Sequence, residues 1–467
     1  MPRGQGGTLS GFTPLSTPNA PTDLSVSTSI GSASVSFTPP ADTGDAAVTS
    51  YVVTAIDEST GVSTGATGTE SPITVSPGGG TFKIRAQAVN GFGPGRLTEF
   101  VPGQSILSGA ELYAWGNNVN GQLGDGTTVS KSSPVQVGAL ITWEQVSAGG
   151  DNGTMSAVKT DGTLWAWGHN NNGNLGQNDI VNRSSPVQIG ALTNWYEVSV
   201  GFATVAAVKK DGTLWAWGNN TGGQVGDNTT IRRSSPVQIG ALTNWAQVSV
   251  GATGAVHCSA IKTDGTLWGW GANPFGQIGD SSVTYRSSPV QVGSLTNWLQ
   301  VSAGGNFASA VKTDGTMWSW GLGSDGRLGT DNLTNRSSPV QIGALTDWAQ
   351  VSAGGNDCGA VKTSGTLWGW GENIDGTVGD GTTTPRSSPV QIGVLADWRH
   401  VSKGSSRISA AVKTDGTLWT WGAGDDGALG TGTLNIPASS PVQVGALTDW
   451  LNISAGNNAM VATLGVI

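Results

Sequence analysis

Charge is scarce in this chain. Only 11% of its 467 residues are Asp, Glu, Lys or Arg, and 31 acidic against 22 basic residues leave a formal net charge of −9. Lys/Arg blocks are missing, so the phosphate attraction behind most nucleic-acid affinity is lacking and no nucleic-acid partner is expected. No apolar run approaches the roughly 20 residues of a spanning helix, which argues against membrane insertion. The opening MPRGQGGTLSGFTPLSTPNAP also lacks the apolar stretch of a secretory signal. The expectation is a protein that stays where it is made or leaves by a signal-independent route. Helix-forming surface residues are equally short, whereas glycine, costly in helices, occurs 73 times. Strands and tight turns remain.

Residues 1–17 are rich in Gly, Pro, Ser and Thr and read as a flexible leader. From 18 to 103, short alternating segments such as ASVSFTPP, TSYVVTAID and TFKIRAQAVN, separated by turn residues, predict an immunoglobulin-like β-sandwich. FTPP after the second strand and AQAVNGFGPG near the end resemble a fibronectin type III domain, with Phe37 in place of that family's usual Trp and Phe82 in place of its corner Tyr. The resemblance implies a spacer module.

Residues 107–467 repeat. The second tryptophan of WxWG falls at 115 (after Tyr113 in that copy), 167, 217, 270, 320, 370 and 421, in steps of 50 to 53 residues. That period, with four strand-like pieces per unit (QVSAGG, SAVKT, TLWAWG, SSPVQIG), predicts propeller blades. A DG or SG pair joins the second piece to the third and suits a two-residue hairpin. AELYAWG at 110–116 has no first or second piece before it, and NISAGNNAMVAT at 452–463 has no third or fourth after it. Six blades are therefore continuous, and the seventh is expected from pairing of the N- and C-terminal strands of the repeat region. The expected fold is all-β: a closed seven-bladed β-propeller preceded by the sandwich.

All 20 tryptophans lie in the repeats, at positions that recur from copy to copy. Identical placement suits blade packing better than a ligand-binding ladder. The GQLGDG loops depart from calcium-loop spacing and suit turn chemistry. Lys159 and its equivalents, with Arg183 and its equivalents, either attract an anionic ligand or lie along aromatic faces and pair with nearby Asp. Cys258 and Cys358 occupy the same position two copies apart, too distant in a ring for a disulfide, and are expected as buried thiols. His169, His257 and His400 fall at three different repeat positions and form neither a metal set nor a triad. No phosphate cradle, paired carboxylates or nucleophile motif appears, so neither an enzyme nor a cofactor is expected.

WGxNxxGQLGxG, SSPVQ, VSAGG and AVKTDGTLWAWG together resemble the regulator of chromosome condensation repeat, a seven-bladed propeller family. Its members include a nuclear exchange factor for a small GTPase, protein-binding modules and a bacterial β-lactamase inhibitor. The resemblance implies that one face meets another macromolecule. Of the histidine that usually follows the first strand, only His257 is kept, with Phe307 and Asp357 in neighbouring copies. The acidic charge and the missing basic tail argue against a chromatin role.

Length varies mainly in the loop between first and second strands. These loops are where a rigid scaffold carries recognition. Asp151, Asn152, Phe202, His257, Phe307, Asp357 and Arg407 are thus expected around one mouth of the ring, in contact with a ligand; drift in unselected turns is the competing reading. The function expected is a non-enzymatic structural or binding protein of a phage virion, as a tail fibre or surface decoration, meeting other virion proteins or a host-surface protein or glycan. The alternative is a bacterial protein-binding or inhibitor propeller, extracellular or at the cell surface.

Overall fold

A computed structural model describes residues 16–466 apart from 151, 152, 255 and 406. The described residues divide into two compact units, one of 16–109 with 465–466 and the other of 110–464.

The first unit contains two antiparallel sheets. One holds Thr22–Ser29, Ser32–Thr38 and Ile73–Val75; the other holds Ser63–Gly68, Val48–Asp57, Gly80–Asn90 and Gly93–Leu97, with Val101–Ile106 also paired to Gly80–Asn90. From Phe82 to Asn90 every second side chain is buried, the period a strand requires. Val35, Phe37 and Val75 from one sheet share a core with Tyr51, Val53, Phe82 and Ile84 from the other. Phe37 and Phe82 are both core residues, and Phe37 packs 4.8 Å from the Tyr51 ring. The sandwich was expected to stop at Gly103, yet the last strand continues to Ile106, which is fully buried. The expected leader, 1–17, lies mostly outside the described residues; Ser16 is held by hydrogen bonds to Asp45.

The second unit is built of seven four-stranded antiparallel sheets. Six are contiguous, here blades one to six, spanning 143–188, 195–238, 245–291, 298–341, 348–391 and 398–443. Blade one runs Trp143–Ala148, Thr154–Lys159, Leu164–Gly168, Arg183–Gln188, and the others repeat this order. In the seventh, Trp450–Ala455 and Ala459–Val466 join Gly109–Gly116 and Lys131–Gln136 in one sheet, so the two incomplete copies supply complementary halves. Each outermost strand carries a proline, such as Pro186, which has no N–H to offer and discourages pairing at an edge. At the hairpin between second and third strands, Gly162 has a φ of +76°, and a Cβ there would lie 2.1 Å from the Thr193 carbonyl oxygen. Only glycine fits.

Blades are joined by tryptophan. The second indole of each WxW is fully buried, and its Nε1–H donates to a carbonyl in the preceding blade: Trp167 to Gln122, Trp217 to Asn174, Trp270 to Gln224, Trp320 to Gln277, Trp370 to Arg327, Trp421 to Thr377 and Trp115 to Ala428. The first indole of the pair is only partly buried and holds an ammonium instead. Lys159 Nζ sits 3.8 Å from the Trp165 ring centre and 4.8 Å from that of Trp143, and the other five contiguous blades repeat the stack. Of the two roles open to these lysines, the structure shows the aromatic one.

The first strands are linked in series by serine. Ser147, Ser199, Ser249, Ser302, Ser352 and Ser402 each accept the N–H of a residue in the next blade's first strand, and Ser454 accepts that of Ala148, where the series began. Two residues earlier on these strands stand Gln145, Gln300 and Gln350, whose amides satisfy both the N–H and the carbonyl of the next blade's valine. Blade two places Glu197 there. A carboxylate can accept the Val248 N–H but has nothing to donate. Confinement among neighbouring strands pushes the Glu197 carboxyl up to about 8, against the pull of the Val248 N–H.

Two outcomes follow. Trp270→Ala lowers stability by about 3–5 kcal/mol, whereas Trp268→Ala costs less because that ring is partly exposed; calorimetry of both variants orders them. Glu197 keeps its proton in the folded chain between pH 4.5 and about 8, where the unfolded chain has released it, so its contribution to stability falls as pH rises through that window. Glu197→Gln removes this loss and raises stability near the upper limit by roughly 2 kcal/mol or more, read from the melting temperature against pH.

Candidate functional site

The loops between first and second strands, and those between third and fourth, lie at the same end of the blades, because the second and third strands run antiparallel between them. Of the expected site residues, Asp151 and Asn152 lie outside the described residues. Phe202 is partly buried, and its N–H donates to the Gly251 carbonyl of the next blade.

His257, Phe307 and Asp357 are not loop side chains at an open mouth. Each is the first residue of a second strand, paired with Gly271, Gly321 and Gly371 respectively, and is 0%, 0% and 4% exposed. Second strands are covered on both faces, so their first side chains enter the interior. Phe307 packs in one core with Cys358 and Trp370 of the next blade, which makes it a packing residue. Among the described residues His257 has no partner for either ring nitrogen, and burial pushes its imidazole down to about 3. Both cysteines are free and buried, and burial pushes the Cys358 thiol up to about 12.

Asp357 and Arg407 do come together. They line a cavity of about 280 Å³ between blades five and six, with Asn356, Glu372, Thr377 and Ser405. Asp357 is deep in it, where its carboxylate lies 2.8 Å from the fully buried Lys403 ammonium. Burial holds the Asp357 carboxyl above the usual carboxylate range, against the pull of Lys403. Lys403 also donates to Ser409 Oγ at 2.9 Å and to the Thr377 carbonyl. In the adjoining loops the exposed Asp325 pairs with the buried Arg327, Arg327 donates to Asn356 Oδ1, and the Asn356 amide donates to Glu372. Arg407, exposed and at a φ of +54°, pairs with Asp375 at 2.6 Å. A polar track thus crosses the loops of blades four to six in two sets, the hydrogen-bonded series from Asp325 to Glu372 and the Arg407–Asp375 pair, with Glu372 and Arg407 lining one cavity.

Such a track can recognise charged and amide groups. Among the described residues no three of His, Cys, Asp or Glu are grouped for a metal. Sequence reasoning missed Glu372, Asp375 and Arg327, which lie in loops treated only as turns. It also passed over Lys403, although a lysine at a position otherwise filled by Ala or Val is a visible signal.

Seven sheets of four strands, with loops of two kinds at one end, define a β-propeller. The chain belongs to the regulator of chromosome condensation (RCC1) repeat family, whose repeat matches residues 110–155, 161–208, 211–257, 264–311, 314–361, 364–411 and 415–463. Among curated relatives, the ultraviolet-B receptor UVR8 of Arabidopsis thaliana is 30% identical over 200 residues, 40% of this chain and 43% of that protein. The probable E3 ubiquitin-protein ligase HERC3 of Homo sapiens is 36% identical over 88 residues, 18% of this chain and 8% of that one. The chain thus spans less than half the length of these relatives. Human WBSCR16 and Prp20p of Saccharomyces cerevisiae each align at a TM-score of 0.68 and 20% identity, covering 77% of this chain and 99% and 92% of theirs. At that identity the likeness is one of fold.

Neutral and, among the described residues, partnerless in the interior, His257 takes up a proton only on unfolding as pH falls from 6.5 towards about 3, so acid removes stability across that window. His257→Phe, the residue blade four uses, flattens this acid limb and raises stability at neutral pH by about 1 kcal/mol, measured by denaturant titration at several pH values.

Proposed function

We propose that the chain is a non-enzymatic binding protein: a propeller closed by its own two ends, preceded in sequence by an immunoglobulin-like, fibronectin type III-like spacer, that presents the loop face over blades four to six to another protein. The observation that carries this reading is the track from Asp325 to Arg407, with its cavity between blades five and six. Cores, hairpins and inter-blade bonds repeat around the propeller, whereas this charged arrangement belongs to one sector. Loops freed from packing duty on a rigid scaffold are where recognition accumulates. Two solved structures of similar fold point the same way. Prp20p is described with its binding to Gsp1p and histones, and yeast RCC1 (Prp20) has been solved bound to Kap60.

In the same reading the chain is a virion component, a tail-fibre or surface-decoration protein whose partners are other virion proteins or a host-surface protein or glycan. The support is the order of a spacer-like unit and a disulfide-free propeller in an acidic chain. Mass spectrometry of purified particles tests the location; recovery from a bacterial surface or medium instead favours the alternative, a bacterial protein-binding propeller.

Arg407→Glu changes the exposed end of the track, and Glu372→Lys changes a half-buried position along it, and neither touches an apolar core. Both are expected to leave the melting temperature unchanged and to weaken capture of the partner by about tenfold or more in a pull-down with the intact chain. Undiminished capture by both variants would move the contact elsewhere.

A further inference from the structure

Blades one, two, three and five carry an ion pair at the start of the fourth strand. Asp179 meets Arg183, Asp227 meets Arg233 and Asp280 meets Arg286, each at 2.6 Å, and Asp380 meets Arg386 at 2.5 Å. In the seventh blade Lys131 lies 3.9 Å from Asp125. On its other oxygen each acid accepts an asparagine amide, from Asn170, Asn220, Asn273, Asn373 and Asn118 respectively. In blade six the asparagine, acid and cation are lost together, replaced by Gly424, Thr431 and Ala438.

Blade four has lost two members and kept the third. Gly323 and Thr330 replace the asparagine and the acid, but Arg336 remains. Its Nε is buried without a hydrogen-bond partner, the Thr330 hydroxyl is buried without one too, and no carboxylate pairs with Arg336 among the described residues. Orphaned buried donors are costly, more so on a charged group. Both line a groove of about 400 Å³ between blades four and five, where Leu345, Trp368 and Pro389 supply apolar wall. The corresponding groove between blades two and three is of similar size, about 380 Å³, but there Asp227 already occupies Arg233.

We infer that the groove between blades four and five binds a small monocarboxylate with an aromatic or branched aliphatic body. The ligand's carboxylate stands where the missing aspartate would, on the Arg336 guanidinium and the Thr330 hydroxyl, and its body lies against Trp368 and Leu345. In its siblings Arg233, Arg286 and Arg386, Nε and Nη2 of the guanidinium both meet one aspartate oxygen, and a ligand carboxylate oxygen fits the same place on Arg336. Asp331 lines the same groove, with its Oδ1 accepting the Ser388 hydroxyl at 3.1 Å. Its charge opposes a second negative charge, so a monocarboxylate is favoured over phosphate or a dicarboxylate. The groove's size is that of a small-molecule site. This inference does not rest on the loop face proposed above.

The test is calorimetric titration of the intact chain with 3-phenylpropionate and, separately, with the neutral 3-phenylpropionamide. The carboxylate binds saturably, and the amide at least about tenfold more weakly. Thr330→Asp, which restores the internal acid of the other blades, and Arg336→Gln each weaken carboxylate binding by about tenfold or more, while Arg233→Gln leaves it unchanged. Melting temperatures equal to that of the parent show that the variants are folded. No saturable carboxylate binding, equal affinity for the amide, or full binding by folded Thr330→Asp overturns the inference.

Discussion

The structure depends on one junction, repeated seven times: a buried indole whose N–H reaches a carbonyl of the preceding blade. The glycine two residues after that carbonyl makes the approach feasible. At Gly226 a Cβ would lie 2.8 Å from the Trp270 Nε1, and φ is +84°. The indole fills the wedge between two twisted sheets, and its single donor fixes the distance between them. Equal junctions require the same residue in every copy. That is why tryptophan, usually a sparse residue, is spent here on scaffold, and why its repetition carries no information about a ligand.

Near the axis the constraint reverses, because first strands converge and side chains must shrink. Ser147 and its equivalents join neighbouring strands through a hydroxyl, and Gly149 and its equivalents end them where a Cβ would meet the next blade, at 2.5 Å from Val200 in blade one. At the hairpin end of the second strand in the six contiguous blades a buried lysine instead stacks on two indoles and covers apolar ring surface, as Lys159 does in blade one. The seventh blade changes both partners of this stack at once. Leu464 stands at the lysine position and Tyr113 at the first tryptophan, with Tyr113 5.4 Å from Trp450 and its hydroxyl donating to Glu111.

Periodicity made most of this legible. The 50-residue step set the blades, the DG pairs set the hairpins, and the truncated copies at 110 and 452 showed which strands share a sheet. The candidate site was harder to read, for a reason that lies in strand burial. In a half-exposed strand, alternation separates inside from outside, and 82–90 in the first unit shows it. The second strand of a blade is buried on both faces, so alternation vanishes, and a loop-length comparison alone left Phe307 and His257 in the loop. Arg407, one residue short of its strand, stays outside. The polar track escaped detection because half of it comes from the loops between third and fourth strands, whose Asn and Asp residues serve as turn braces in most copies.

Departures from the repeat therefore carry more meaning than the repeat, and they come in two kinds. Some are compensated inside the chain. Lys403 enters a position of small residues but meets Asp357 from the adjacent blade, and blade one replaces the usual acid with Gln177 yet moves the carboxylate two residues on, to Asp179. Compensated changes preserve the number of satisfied groups and need no cause beyond folding. Among those that line a groove or cavity, two leave groups unsatisfied or exposed: Arg336 with Thr330 in one groove, and Arg407 at the rim of a polar cavity with a strained backbone. A rigid array of near-identical units offers its own controls for each, since the same site appears elsewhere in satisfied form. Folding alone gives no reason to keep the unsatisfied version, so the place to look for a purpose is outside the chain, in what these two sectors meet.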